Sequence, residues 1–312
     1  MTTLDATGVA AAVPPDLRRG SLPLRRRAID VVMKSVMWMA VALAVVPLGA
    51  VISYTIVKGA PVIDWHFLTG ERMSNSPDTP LDSPRSTMGP AVVGTLLTTG
   101  VAALIAIPLG VLGAIYLNEY GKNSWLARTI RTMADIMTGV PSIVMGLFIY
   151  LIVVIPHLVN GETGRAALAG SFALACLMLP VVVRSSEEML RLVPDELRQA
   201  SLALGARKWR TTLTVVLPAA LSGITSGSLL AIARAAGETA PILLVVGGTT
   251  RLNWSLTEET TSLPAQIFTN ANTYQEQAQA RGWGAALTLI AIVLVTTLIA
   301  RLISARFAIK ER

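Results

Sequence analysis

Of 312 residues, 53% are hydrophobic and only 14% charged, against about a quarter charged in soluble domains; a mean hydropathy of +0.59 places the chain in a bilayer. The net charge of +7 does not mark a nucleic-acid binder, because the basic residues form no single face and sit in short runs between apolar spans. The lone Cys176 excludes an internal disulfide and reads as a small buried hydrophobe. His66 and His157 have no partner at ligand spacing, which argues against a metal site.

In chain order, residues 1–28 are rich in Ala, Pro and Arg without periodicity and read as a flexible cytoplasmic tail. No small-residue cleavage site follows the first apolar run, which is too long for a signal peptide and is expected to stay as a helix. A helix needs about 20 apolar residues to cross the hydrocarbon core. Six segments qualify: 31–57, 90–117, 136–159, 166–183, 223–246 and 284–300. The expected fold is therefore an all-α integral membrane protein of six transmembrane helices. Residues 29–306 form one membrane domain and 307–312 a short cytoplasmic tail.

An even number of spans puts both ends on one side, and the basic residues choose it. Eighteen Lys and Arg fall in segments 18–27, 122–131, 184–210 and 301–312, against six in the alternate loops. By the positive-inside bias both termini are cytoplasmic, and so is the segment 184–210. Several spans contain Pro (Pro47, Pro108, Pro141, Pro156, Pro241), for most of which the frequency of Pro in membrane helices is account enough. Gly223 with Gly227, and Gly110 with Ala114, are small-xxx-small pairs that suit either internal packing or a two-subunit seam.

Between the fourth and fifth spans, Val193 to Gly205 forms a charged, helix-friendly stretch. Pro194 can start a helix, Asp195 and Glu196 occupy a first turn where the macrodipole favours anions, and Arg198 follows. Ala200, Ala203 and Leu204 offer a small apolar face to a groove on a partner. Gly205 can end the helix, and Arg207, Lys208, Trp209 and Arg210 mark the headgroup level. On charge pattern alone, an ordinary amphipathic surface helix explains this stretch equally well.

Inside the fifth span, Arg234 and Glu238 are anomalous. Arg234 lies about 16 Å beyond Gly223 along a helix, close to mid-membrane, where a charge costs about 2.5–3.5 kcal/mol on insertion scales. Their i, i+4 spacing lets them neutralise each other, which is one explanation. In the other, Arg234 gives an oxyanion a transient bidentate contact while Glu238 restrains the guanidinium. Arg184, at the inner end of the fourth span, is either a positive-inside anchor or part of the path. Glu187 and Glu188 lie within pairing distance of it, or act as an exit gate.

Gln199-Ala200-Ser201, Gly205 and Leu217-Pro218 together resemble the loop by which permeases of type I ABC importers grip their ATPase. Glu-Ala-Ala is usual where Gln199-Ala200-Ser201 stands. The stretches 139–148, 179–190 and Arg234-Ala-Ala-Gly-Glu-Thr-Ala-Pro241 are similar to the A-type permease subunits of phosphate-specific (Pst) importers. The resemblance covers roughly residues 88–300. It implies ATPase coupling through Pro194, Asp195, Glu196, Gln199, Ala200, Ser201, Gly205 and Pro218, and a substrate path past Arg234, Glu238 and Arg184.

The implied partners are two ATPase copies, a homologous C-type permease, an extracytoplasmic phosphate-binding protein, inorganic phosphate and the lipid of a bacterial plasma membrane. The chain itself would bind no cofactor and would not be an enzyme. It has no phosphate-binding Gly-x-x-x-x-Gly-Lys-Ser/Thr loop, so ATP and Mg belong to the ATPase. Another oxyanion (sulfate, molybdate) is an alternative cargo. A passive channel would not need the loop, and an intramembrane enzyme would need a catalytic constellation that the spans do not offer.

Overall fold

A computed structural model describes residues 24–121, 123–161 and 163–307. Most of the two expected tails lies outside these residues; Leu24–Ala28 already belong to the first helix, and Phe307 ends the last.

Among the described residues, the chain is helices and loops with one isolated bridge, between Arg72 and Arg251. Thirteen helices are described: α1 (Leu24–Gly59), α2 (Trp65–Thr69), α3 (Gly89–Ile115), α4 (Trp125–Gly139), α5 (Ser142–Ile149), α6 (Ile155–Val159), α7 (Ala167–Arg191), α8 (Asp195–Ala203), α9 (Lys208–Thr211), α10 (Leu217–Ala236), α11 (Ala240–Val245), α12 (Leu263–Ala271) and α13 (Glu276–Phe307). Wider π turns extend α3 (Tyr116–Gly121), join α5 to α6 (Tyr150–Val154) and join α9 to α10 (Thr212–Val216). Six helical runs are long and apolar enough to cross a membrane: Ala28–Val62, Gly89–Gly121, Ser142–Val159, Ala167–Arg191, Lys208–Ala236 and Glu276–Leu302.

The chain divides into two units. The described part of the first, up to Tyr54, is the bulk of α1. Its apolar side chains, Trp38 and Leu43 among them, are exposed, as in a helix solvated by lipid tails. The second unit, from Thr55 onward, is built around α7. Ala169, Ala173, Leu174, Met178 and Val182 of α7 pack with Ala102 and Ala106 of α3, Ile149 of α5, Ala231 and Ala235 of α10, and Ile242 and Val245 of α11.

Small residues allow this proximity. A methyl group at Gly110 would collide with Val182, one at Gly223 with Met189, and one at Gly227 with Ser185. The small-xxx-small pairs thus serve packing onto α7, within the subunit.

Two expected spans are broken. The third was read as one helix through Pro141, but α4 stops at Gly139 and Val140 is extended at φ −71°, ψ 130°. Pro141 has no N–H to bond backwards and forces its predecessor out of the helical region. The fifth was read as starting at Gly223. Helix instead runs from Lys208, stops at Ala236, and resumes as α11 after Gly237-Glu238-Thr239, with Pro241 in the first turn. Two of the five prolines therefore mark interruptions. The second break adjoins α5: Gly146 sits so near Pro241 that a methyl group there would meet its Cα.

At the end of the bundle away from α8, α2 and α12 with their flanking loops form a cap over α3 and α13, centred on Phe67, Met88, Leu263 and Ala285. Polar ties close it. Thr87 Oγ1 donates to Phe67 O at 3.0 Å and Leu263 N to Thr95 Oγ1 at 2.8 Å. The buried Arg281 donates to Ser76 O at 2.8 Å and Thr79 O at 2.9 Å. Gly94 of α3 lies beneath the Thr261 carbonyl, with no room for a methyl group, whereas Gly100 faces open space. Gly94→Ala should therefore destabilise the detergent-solubilised protein by about 1–3 kcal/mol, read as a lower thermal midpoint. Gly100→Ala should leave the midpoint unchanged or raise it slightly.

Candidate functional site

α10, the break and α11 run antiparallel along the whole of α7. Gly223 lies on Met189 near one end of α7, and Val246 lies on Gly170 near the other. Between them, Arg234 and Glu238 share a crevice with Leu177, Met178, Val181, Ala231 and Ala235. Met178 is near the midpoint of α7. The break thus falls at mid-depth of the bundle, and Arg234 stands in the last turn of α10 beside it. The sequence reading counted the depth of Arg234 along one helix from Gly223 to Val246; the helix instead starts earlier and stops two residues past Arg234.

The backbone at the break bonds locally, Gly237 N to Arg234 O at 3.1 Å and Glu238 N to Ala235 O at 3.2 Å. Such tightened i→i+3 bonds satisfy a helix end without water. Arg234 Nε lies 3.5 Å from Glu238 Oε1, with the Arg234 side chain 60% exposed and that of Glu238 17%. The pair is long for a salt bridge, and the guanidinium has no further partner among the described residues. Glu238 is held in the crevice while Arg234 projects out of the subunit. Such a cation can offer two parallel N–H groups to an oxyanion.

Arg184 is not brought to this crevice. It lies six residues further along α7, about 9 Å by helix rise, and is paired with Asp135 of α4 at 2.8 Å and Glu187 at 3.4 Å. Glu187 is 1% exposed and also receives Arg131 Nε at 2.6 Å and Arg191 Nη2 at 2.7 Å. One buried carboxylate thus gathers three guanidinium groups, of which Arg131 ties α4 to α7, while Glu188 is exposed. The spacing of Arg184, Glu187 and Arg191 was visible in the sequence; the contribution of Arg131 and Asp135 from another helix was not.

The remaining candidates lie at the Arg191 end of the bundle. Pro194 caps α8, and Asp195 and Glu196 occupy its first turn. At its other end Gly205 adopts φ +83°. Gly205 N donates to Leu202 O at 2.9 Å and Ala206 N to Ser201 O at 3.2 Å, the paired bonds of a Schellman cap, which requires a left-handed residue and hence glycine. Gln199 and Ala200 are exposed, and Ser201 Oγ lies 2.9 Å from Thr211 Oγ1. Pro218 lies in the first turn of α10, directly after a π turn. α8 has no buried residue, and Leu197, Leu202 and Leu204 stand exposed on and just beyond it. Arg198 does what the sequence did not foretell, reaching Glu119 Oε1 at 3.1 Å in the π turn that ends α3.

Comparison with known proteins agrees with this architecture. The family model described as binding-protein-dependent transport system inner membrane component matches residues 106–309. The phosphate transport system permease protein PstA 1 of Mycobacterium tuberculosis (strain CDC 1551 / Oshkosh) is 46% identical over 223 residues, 71% of each chain. PstA of Mycobacterium leprae is 39% identical over 302 residues, covering 94% of this chain and 92% of that protein. PstA of Yersinia pestis is 41% identical over 234 residues, 73% and 77% of the two chains.

Among solved structures, a bacterial ABC transporter involved in the import of the acidic polysaccharide alginate aligns with a TM-score of 0.57 at 14% identity. The alignment covers 92% of this chain and 100% of that one. The MetNI methionine ABC transporter aligns at 0.50 with 19% identity, 70% and 91% covered. At such identities the likeness is one of fold, that of ABC transporter permeases. The chain, a multi-pass inner-membrane protein, belongs to the family of binding-protein-dependent transport system inner membrane components.

Proposed function

We propose that this chain is the A-type permease subunit of an ABC importer that brings inorganic phosphate into the cell, driven by ATP hydrolysis on a separate subunit. The observation that carries the reading is the Arg234–Glu238 pair, set at a helix break at mid-depth of the bundle. It stands in a chain whose relatives, one over nearly its whole length, are named phosphate permeases. An ionisable residue at that depth is costly and needs a reason, and a transported anion supplies one. Arg234 projects out of its own subunit, so the path runs between this permease and a homologous C-type partner. There the guanidinium meets the phosphate oxygens in passing, and Glu238 draws it back.

Both termini and α8 are assigned to the cytoplasmic side by the distribution of basic residues. In this arrangement α8 is a short helix closed by the Schellman cap at Gly205, whose exposed Leu197 and Leu204 enter a groove on one of two ATPase copies. ATP and Mg are handled there, and an extracytoplasmic phosphate-binding protein delivers the anion to the opposite cap.

In liposomes containing the complete transporter, Arg234→Ala should abolish phosphate uptake while the complex still assembles and hydrolyses ATP. Normal phosphate uptake by that variant refutes the role of Arg234, and preferential uptake of sulfate or molybdate by the unaltered transporter refutes the cargo. Proline cannot adopt the φ of +83° at Gly205. Gly205→Pro should therefore leave ATP hydrolysis running while uptake falls; full coupling in this variant argues against α8 as the docking element.

A further inference from the structure

A helix that conveys a push must be fastened to what it moves, and α8 is not fastened by apolar packing, since none of its residues is buried. A cavity of about 680 Å³ instead opens between α8–α9 and the neighbouring ends of the bundle, with Leu117, Arg131, Arg191 and Leu202 among its lining residues. The connection across its wall is polar and centred on one side chain. Arg198 donates to Glu119 Oε1 through Nε at 3.2 Å and Nη2 at 3.1 Å, to Leu190 O at 2.8 Å, and to Val193 O.

These acceptors lie on different elements. Glu119 belongs to the π turn that ends α3, and Leu190 to the last turn of α7, with Val193 just beyond it. The Arg198 and Glu119 side chains are only 16% and 8% exposed, so their attraction is little screened by water. Asn118 Nδ2 donates to the same Glu119 oxygen at 2.8 Å, and Asp195 Oδ1 accepts from Arg198 at 3.0 Å. The guanidinium therefore lies between two carboxylates and two carbonyls. Only the planar five-donor fork of arginine can serve all four at once.

We propose that Arg198 and Glu119 are the link through which movement of α8 reaches α3 and α7, and along α7 the crevice at Met178. The proposal rests on the reading of α8 as the ATPase-docking helix. It makes Arg198 and Glu119 positioning residues, in contact with neither phosphate nor ATP.

The test uses the complete transporter in liposomes and measures ATP consumed per phosphate imported, together with retention of the ATPase on purification. Arg198→Ala should keep the ATPase bound and hydrolysis within about twofold, while uptake falls about tenfold. Glu119→Gln, which preserves shape and one acceptor, should raise the ATP-to-phosphate ratio by about threefold. Arg198→Lys should not restore the ratio, and Arg210→Ala, at an exposed position on α9, should leave it unaltered. An unchanged ratio in both Arg198→Ala and Glu119→Gln overturns the link. So does loss of the ATPase from both, which would make the pair part of the docking surface. The underlying reading is tested separately: failure of Gln199→Cys to cross-link to the ATPase in an otherwise unaltered complex overturns α8 docking itself.

Discussion

Peptide groups inside a bilayer have no water to bond with, so a helix can stop there only where protein covers the interruption. This constraint shapes the centre of the molecule. α10 ends at mid-depth, and its freed groups are managed by local i→i+3 bonds and by close packing of α11 against α5 and α7. Gly146 against Pro241 brings α5 close to the start of α11, and Gly170 against Val246 brings α7 close to its end, while Gly237 itself stays exposed. At the interruption Arg234 and Glu238 remain neighbours, as i, i+4 residues are on a helix, with Arg234 half-exposed and Glu238 in the crevice.

α7 is the element that runs between the two ends and makes contacts at both. Its middle lines the crevice, its first residues bond to the loop after α11, and its last turns hold Glu187 and the Leu190 carbonyl that receives Arg198. The nature of its contacts changes along its length. Around Met178 they are apolar and tight, with alanines against alanines. Near Arg191 they are ionic, with three guanidinium groups on one buried carboxylate. A buried charge cluster is a poor source of net stability, yet removal of one member leaves the others uncompensated. Such a cluster fixes α4 and α7 in one relative position. The same logic applies to Arg198 and Glu119 one helix further out.

What could be read from the sequence follows from the range of each interaction. Apolar length located all six spans, and local rules for helix ends located α8, because Pro194, Asp195, Glu196 and Gly205 act within a turn of themselves. The break at Gly237 was missed because Ala-Gly-Glu-Thr-Ala-Pro lies between two apolar stretches whose combined length suits one crossing. Pro141 was missed because prolines are common in membrane helices and Pro47 and Pro108 do sit inside unbroken ones. Glu187 with Arg131, and Glu119 with Arg198, are 56 and 79 residues apart. Their pairing is set by how helices stack, for which a single sequence carries no periodic signal. Arg184 was read at the inner end of its span with Glu187 and Glu188 in pairing distance, and the structure shows Glu187 and, from another helix, Asp135 holding it.

The proposed transport places the crevice beside the break on a path opened first to one side of the membrane and then to the other. It can be tested directly with a single cysteine at position 238, in a background where Cys176 is replaced by Ala, labelled by a membrane-impermeant thiol reagent in the assembled transporter. The expected result is that labelling changes sides between the nucleotide-free and the vanadate-trapped complex. Labelling from one side alone in both states, or from neither in either state, would contradict it.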